Sequence, residues 1–223
     1  MAEPQMRRFL WATALGSCAF GMQDIVLEPY GAQVLGLGVG ATSGLTAVGA
    51  LGSLLAFALS ARVLGRQIGA CGLAGVGAVI GLVAFALVIF AGPLQSVSLF
   101  KLGVGLVGFG GGLFGVGMLV NAMTYGDARL SGLALGAWGA VQATAAGVAM
   151  ALGGLIRDGV DALAQAGQLG QALQSHLTGY SFVYHFEMYL LLLVLIALGP
   201  MARRGMDRKT PSTQRFGLAE LPS

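Results

Sequence analysis

Six long apolar runs follow one another along this chain of 223 residues, and they restrict its fold more than any other feature. Each run is long enough to cross the hydrocarbon core of a bilayer, which takes roughly 20 residues of helix. A backbone in lipid must satisfy its own hydrogen bonds, so runs of this length with few charges are helices rather than strands. The sequence predicts an all-α integral membrane protein with six transmembrane helices, at about residues 9–27, 41–61, 69–91, 97–124, 131–156 and 181–202.

The composition excludes other classes of protein. Charged residues make up 9% of the chain, whereas a soluble globular domain has about 25%. A hydrophobic content of 56% excludes a disordered chain. We therefore divide the chain into a six-span transmembrane domain, residues 1–204, and a disordered cytoplasmic tail, residues 205–223.

The positions of the basic residues predict an orientation. Lys101 and Arg157 fall on or near one side of the six predicted spans. The other Lys and Arg residues fall on the opposite side, which the positive-inside rule makes cytoplasmic. They are Arg7, Arg8, Arg62, Arg66, Arg129, Arg203, Arg204, Arg208, Lys209 and Arg215. Both termini are predicted to be cytoplasmic, as an even number of spans requires.

The segment between the fifth and sixth runs, residues 157–180, is more polar than the runs themselves. Val160, Leu163, Leu169, Leu173 and Leu177 recur at near-helical spacing, with Asp and Gln between them. This pattern is typical of an amphipathic helix lying on the outer membrane face. An ordered loop that covers the end of the bundle is the alternative.

Glycines spaced four apart indicate where helices pack closely. Small residues at this spacing let two backbones approach each other in lipid. A face lined with glycine can also accept a flat, bulky partner such as a lipid, a pigment or a helix of another protein. The predicted packing positions are Gly108, Gly111, Gly112, Gly115, Gly132 and Gly136.

Two acidic residues share one face of the first predicted helix. Asp24 and Glu28 are four residues apart, and Pro29 directly after them disfavours helical backbone at Glu28 and leaves the carbonyl of Ile25 without an N–H. Acidic residues at membrane depth are rare and mark functional sites. Three roles remain open: a proton or cation site, a metal ligand, and a helix cap at the water boundary.

Three further polar residues lie within the predicted spans. Gln142 falls near the membrane midplane, where its amide is expected to form an interhelical hydrogen bond. His185 is a candidate ligand for the magnesium of a porphyrin, and an ordinary hydrogen bond is its alternative role. Glu187 shares a helix face with Tyr180 and Tyr184, two residues typical of an interfacial aromatic belt.

The sequence contains no recognisable catalytic set. It has no nucleophile–base pair with a local signature, no His-x-x-x-His and no phosphate-binding loop. Cys18 and Cys71 lack the spacing of a metal site. We expect no enzymatic activity, no metal centre and no nucleic-acid partner, since the basic tail suits the anionic head groups of membrane lipids.

Four segments closely resemble the PucC family, the bacteriochlorophyll-delivery branch of the major facilitator superfamily, which includes the LhaA-type proteins of purple phototrophs. They are AFGMQDIVLEPYGAQVLGL (19–37), GFGGGLFGVG (108–117), LGAWGAVQATAAGVAMALGGLIRD (135–158) and GYSFVYHFEMYLLL (179–192). The resemblance implies a factor that assembles light-harvesting antenna complexes in the bacterial inner, intracytoplasmic photosynthetic membrane. Such a factor would hand bacteriochlorophyll to antenna polypeptides, or hold those polypeptides or a reaction-centre antenna complex.

The length departs from that family, whose members have twelve spans in two halves. This chain resembles the C-terminal half alone, and facilitator sites form between two halves. The expected partners therefore include a separate N-terminal half or a second copy. Two alternatives to an assembly factor stay open: a half-size transporter that acts as a dimer, and a permanent structural subunit of a photosynthetic complex.

Overall fold

The computed structural model describes residues 3–64, 69–124, 128–175 and 177–207. Within these ranges, six helical segments are long and apolar enough to cross a membrane, and α1 and α2 together form the first of them. The predicted class, an all-α bundle of six membrane-spanning helices, is confirmed. The helices are α1 (Glu3–Gly21), α2 (Gln23–Leu35), α3 (Val39–Val63), α4 (Ala70–Ala91), α5 (Val97–Met123), α6 (Ala128–Gln165) and α7 (Leu177–Asp207), with one 3-10 turn at Gln171–Leu173.

Short connections between the helices follow from local sequence. Gly36 ends α2 in the left-handed conformation, at φ 65°, and its N–H donates to the carbonyl of Gly31; glycine adopts this conformation without strain. Ser96 begins α5 by accepting a hydrogen bond from the N–H of Leu99 at 3.3 Å. Because the turns are tight, neighbouring spans run in opposite directions.

The most extensive packing in the bundle is between α5 and its neighbours α4 and α3. α1 packs against α6 and α7, α4 lies between α5 and α7, and α3 packs on the opposite side of α5. One end of the bundle, named the α6–α7 end, is where α2, α4 and α6 finish and α3, α5 and α7 begin. The spans of α3 and α6 are the least buried, with 22% and 17% of their residues inside the chain.

Glycines bring α5 into backbone contact with both of its neighbours. A Cβ atom on Gly108 would collide with the backbone of Gly49 on α3, and one on Gly112 would meet Ala56 and Ser53. On the other side, Gly110 lies against the backbone of α4. The predicted close packing therefore exists at Gly108 and Gly112, and Gly111 lies against the ring of Phe20.

Three of the predicted packing glycines make no such contact. Nothing lies within 4 Å of the Cβ positions of Gly115, Gly132 and Gly136, so within this chain the close-packing prediction is wrong for them. Gly132 and Gly136 lie on exposed parts of α6, which packs against the rest of the bundle mainly through its other face. The four-residue spacing predicted a helix face correctly, but it could not predict whether another helix covers that face.

The segment 157–180 forms neither a separate amphipathic helix nor a loop throughout. Its first part continues α6 to Gln165, and its last part opens α7 at Leu177. Gly167 and Gly170 follow the end of α6 and have φ values of 75° and 90°. Glycine adopts such values readily, and they prevent the helix from continuing toward α7. The 3-10 turn at Gln171–Leu173 lies between the two helices. The leucine spacing alone predicts one helix in this segment. The two glycines divide it into the end of α6 and the start of α7.

Two other expectations about helix continuity differ from the structure. The first span breaks at Met22, one turn before Ile25, whereas Pro29 lies inside the intact helix α2. Pro29 is the seventh residue of α2, beyond the first turn, so the carbonyl of Ile25 receives no N–H from residue 29 although the helix continues on both sides of it. In addition, α7 continues to Asp207, so the predicted tail begins later than residue 205, and residues 208–223 lie outside the described ranges.

Candidate functional site

A cluster of three tyrosines occupies the interior near the α6–α7 end. Tyr30 of α2 meets Tyr180 and Tyr184 of α7 edge-on, with ring centroids 5.4 and 5.6 Å apart. All three side chains are fully buried. The Tyr30 hydroxyl donates to the carbonyl of Val88 on α4 at 3.0 Å. The interfacial-belt interpretation is therefore wrong for Tyr180 and Tyr184, which hold α7 against α2 instead.

One arginine joins three helices beside this cluster. Arg157 of α6 donates from Nη2 to Oε1 of Gln33 and to the hydroxyl of Tyr180, both at 2.8 Å. The Tyr180 hydroxyl donates to the same Gln33 oxygen at 2.9 Å. The guanidinium carbon also lies 4.7 Å from the centre of the Tyr180 ring. These bonds tie together α2, α6 and α7, and the sequence indicated Arg157 only as a charge on the non-cytoplasmic side.

Replacing this arginine is expected to loosen the α6–α7 end. Arg157→Met removes two charge-assisted hydrogen bonds, and bonds of this kind contribute about 1.5–3 kcal/mol each when shielded from water. Because the side chain is 22% exposed, water screens both bonds, and we expect a total loss below that of two shielded bonds, about 1.5 kcal/mol. The midpoint of thermal unfolding in detergent measures the effect.

Asp158→Asn is the matched control for that substitution. It removes the 2.7 Å ion pair with Arg157, and the Asp158 side chain is 68% exposed. Exposed pairs contribute little, so the midpoint should hardly move. Equal losses in the two variants would contradict the structural role assigned to Arg157.

The two acidic residues of the first span are not assembled into one site. Asp24 accepts a hydrogen bond from the Gln23 side chain at 2.7 Å. Glu28 accepts one from the Thr46 hydroxyl of α3 at 2.8 Å. Both side chains are exposed in this chain, each with its own partner. No group of three His, Cys, Asp or Glu side chains close enough to hold a metal occurs in the described part of the chain.

Gln142 lies apart from the tyrosine cluster. Its side chain is half-buried on α6, close in sequence to the half-buried Trp138, which packs against the core. The interhelical hydrogen bond expected of its amide stays a prediction. Gln142 therefore adds no polar group to the tyrosine cluster.

His185 stands on the outside of α7 in an apolar groove. The groove has a volume of about 630 Å³ and runs between the end of α6, the 3-10 turn and the start of α7. The Nδ1 atom of His185 lies 2.7 Å from the carbonyl oxygen of Ser181. A carbonyl only accepts, so Nδ1 carries the hydrogen and Nε2 keeps its lone pair. The lining side chains include Val160, Leu163, Leu169, Leu173, Leu177 and Phe182.

Glu187 is on the opposite face of the same helix, directed into the bundle. Its side chain is fully buried. Both carboxyl oxygens have no hydrogen-bond partner among the residues that the structure describes. The sequence had placed Glu187 on the helix face of Tyr180 and Tyr184, which is confirmed, but it could not show that this face is the buried one.

Comparisons with known proteins agree with the fold. A family profile described as PUCC protein matches residues 1–206. The chain is 46% identical, over its whole length, to the "Uncharacterized protein in puhA-bchM intergenic region" of Rhodobacter capsulatus, of which it covers 47%. It is 50% identical over 157 residues to "Protein PucC" of Rhodovulum sulfidophilum, covering 70% of this chain and 35% of that protein.

One relative with a lower identity is named as a chain of bacteriochlorophyll synthase. The chain is 31% identical over 215 residues, 93% of its length, to the "Bacteriochlorophyll synthase 44.5 kDa chain" of Rhodobacter capsulatus, and it covers 47% of that protein. The chain thus spans less than half the length of each of these relatives. With the family profile matched from residue 1 to residue 206 and six apolar helices in the described ranges, the chain is a multi-pass membrane protein and belongs to the PucC family.

Proposed function

We propose that the protein is an assembly factor for bacterial light-harvesting complexes, which handles bacteriochlorophyll, antenna polypeptides or both in the intracytoplasmic photosynthetic membrane. Membership of the PucC family supports a role connected with photosynthetic complexes. The name of one relative, a bacteriochlorophyll synthase chain, supports a connection with this pigment. The positive-inside distribution of Lys and Arg supports cytoplasmic positions for both termini.

The observation on which the pigment part of the proposal rests is the groove at His185. A magnesium tetrapyrrole accepts an axial nitrogen ligand, and His185 presents Nε2 because Nδ1 is held by the Ser181 carbonyl. The groove volume of about 630 Å³ lies within the roughly 300–1,000 Å³ of ordinary cofactor sites. Its walls are mainly aliphatic and aromatic side chains, which suit an apolar macrocycle.

The role is transfer rather than chemical conversion. His185 is exposed at the side of α7, so a pigment can reach it from the lipid without an opening of the bundle. A site of this kind releases its ligand more easily than an enclosed one. The proposed partners are antenna polypeptides or a reaction-centre antenna complex, together with a separate N-terminal half or a second copy.

Purification from the membrane of a phototroph in mild detergent tests the function. We expect bacteriochlorophyll absorption, antenna polypeptides or both to accompany the protein, and deletion of its gene to lower antenna levels. The proposal fails if neither accompanies it and deletion leaves antenna levels unchanged. A fixed stoichiometry in the mature complex would instead identify a permanent structural subunit.

A second candidate is transport by a paired half-size carrier. Its support is the buried carboxyl group of Glu187, because ionisable residues inside membrane bundles often line ion or substrate pathways. This candidate expects solute uptake into proteoliposomes that collapses on Glu187→Gln, Asp24→Asn or Glu28→Gln. Unchanged uptake in all three variants, or none in the wild type, would remove it.

A further inference from the structure

The buried carboxyl group of Glu187 faces the break in the first span. α1 ends at Gly21 and α2 begins at Gln23, and the backbone N–H of Gln23 lies near the Glu187 carboxyl group. Glu187 is the eleventh residue of a span that runs from Leu177 to Ala202, so it lies in the middle part of that span. The junction of α1 and α2 and the carboxyl group therefore lie well away from the ends of their spans.

A second polar group in the same place also has no partner. The hydroxyl of Tyr184 lies one turn before Glu187 on the same face, is fully buried, and has no hydrogen-bond partner among the described residues. An unpaired buried polar group costs about 1–3 kcal/mol, and a charged one costs more. Three polar atoms on this face of α7, two of Glu187 and one of Tyr184, are therefore buried without a hydrogen-bond partner among the described residues.

The ionisable groups that the structure describes around Glu187 do not provide a positive charge to its carboxyl group. The nearest ionisable group on the first span is Asp24, which acts on Glu187 as a second negative charge. α4 has Cys71 as its only ionisable side chain, at the other end of the bundle. On α6, Arg157 is directed to Gln33 and Tyr180, and Asp158 and Asp161 add negative charge. On α7 itself, His185 points away into its groove.

We propose that the buried carboxyl group of Glu187, beside the Tyr184 hydroxyl and the junction of α1 and α2, binds one exchangeable positive charge, a proton or a small monovalent metal cation. The occupant lies on the Glu187 carboxyl group. Asp24 strengthens the attraction without touching it, because a second carboxylate nearby lowers the energy of any cation in the site. Such a charge fixes α7 to the junction of α1 and α2 at Met22. The inference does not rest on the proposed pigment role.

Two measurements on the purified full chain in detergent distinguish the two occupants. Infrared spectra recorded in H₂O and in D₂O across a pH series report the carbonyl stretch of a protonated carboxyl group. The thermal unfolding midpoint in sodium chloride, compared with choline chloride at the same concentration, reports the binding of a metal cation. We expect either a carbonyl band or a sodium-dependent rise of the midpoint, and Glu187→Gln should abolish whichever is found.

Glu28→Gln is the matched control, because it makes the same chemical change at a carboxyl group that is exposed and hydrogen-bonded to Thr46. It should leave the band or the sodium effect unchanged. Glu187→Gln preserves shape and removes the need for a positive charge, so it should fold and unfold at a midpoint at least as high as that of the wild type in choline chloride. The proposal is overturned if Glu187→Gln changes neither signal, or if the wild type gives neither.

Discussion

Gly108→Leu should strongly destabilise the protein by forcing α3 and α5 apart. A side chain at this position would meet the backbone of Gly49, which cannot rotate away as a side chain can. Overpacking in a core costs typically 1–3 kcal/mol, and we expect about 3 kcal/mol at Gly108 because backbone must move. Separation of the two helices would also break the hydrogen bond that the Ser53 hydroxyl donates across the contact, at 3.0 Å, to the Gly108 carbonyl.

The measurement is the thermal unfolding midpoint together with the fraction of monodisperse protein after extraction in mild detergent. Gly115→Leu provides the control, because it lies on the same helix, makes the same chemical change and meets open space. It should leave both quantities close to the wild type. Similar losses in Gly108→Leu and Gly115→Leu would mean that leucine on α5 is harmful for a reason other than contact with α3.

His185→Leu should strongly reduce the proposed pigment binding while leaving the fold intact. The substitution removes the only imidazole in the groove whose position the structure describes, and it keeps the wall apolar. Loss of residues that merely support a metal ligand typically costs 10–100-fold in affinity, so loss of the ligand itself should lower retained bacteriochlorophyll by about tenfold or more. The amount of bacteriochlorophyll per mole of purified protein, read from the absorption spectrum, is the quantity to compare.

Two variants keep that result interpretable. Tyr189→Leu changes an exposed residue one turn further along the same face, outside the groove, and should retain pigment. His185→Asn keeps an atom able to bind magnesium and should retain an intermediate amount. If His185→Leu retains as much pigment as Tyr189→Leu, pigment is held elsewhere and the axial-ligand role of His185 is wrong, whatever becomes of the assembly role.

The architecture could be predicted from the sequence because it depends on run length. An apolar run either is or is not long enough to span a bilayer, and no other part of the chain is needed to judge it. Helical periodicity also placed Tyr180, Tyr184 and Glu187 on one face correctly. It could not predict which face of α7 is buried, because His185 and Glu187 are both polar. The positions of α1 and α4 decide which of the two is buried.

The remaining errors have the same physical origin. Gly108 and Gly132 have the same local pattern of small residues, yet one lies against α3 and the other against nothing in this chain. Pro29 was the obvious candidate for a helix break, but the break lies at Met22. The contact of Arg157 with Gln33 joins residues 124 positions apart. Contacts of this kind depend on the arrangement of whole helices, which a single sequence does not contain.

The glycine contacts of α5 have a mechanical consequence. Side chains at an interface can change rotamer and let two helices slide, whereas backbones in direct contact move together or not at all. Glycines on both sides of α5 bring its backbone against α3 and α4. We therefore expect these three helices to move as one rigid unit. The first span and α7 meet instead through large aromatic rings, beside a break in the chain. Any rearrangement that the proposed loading or release of a partner requires should therefore involve the first span and α7, beside which the groove and the buried glutamate both lie.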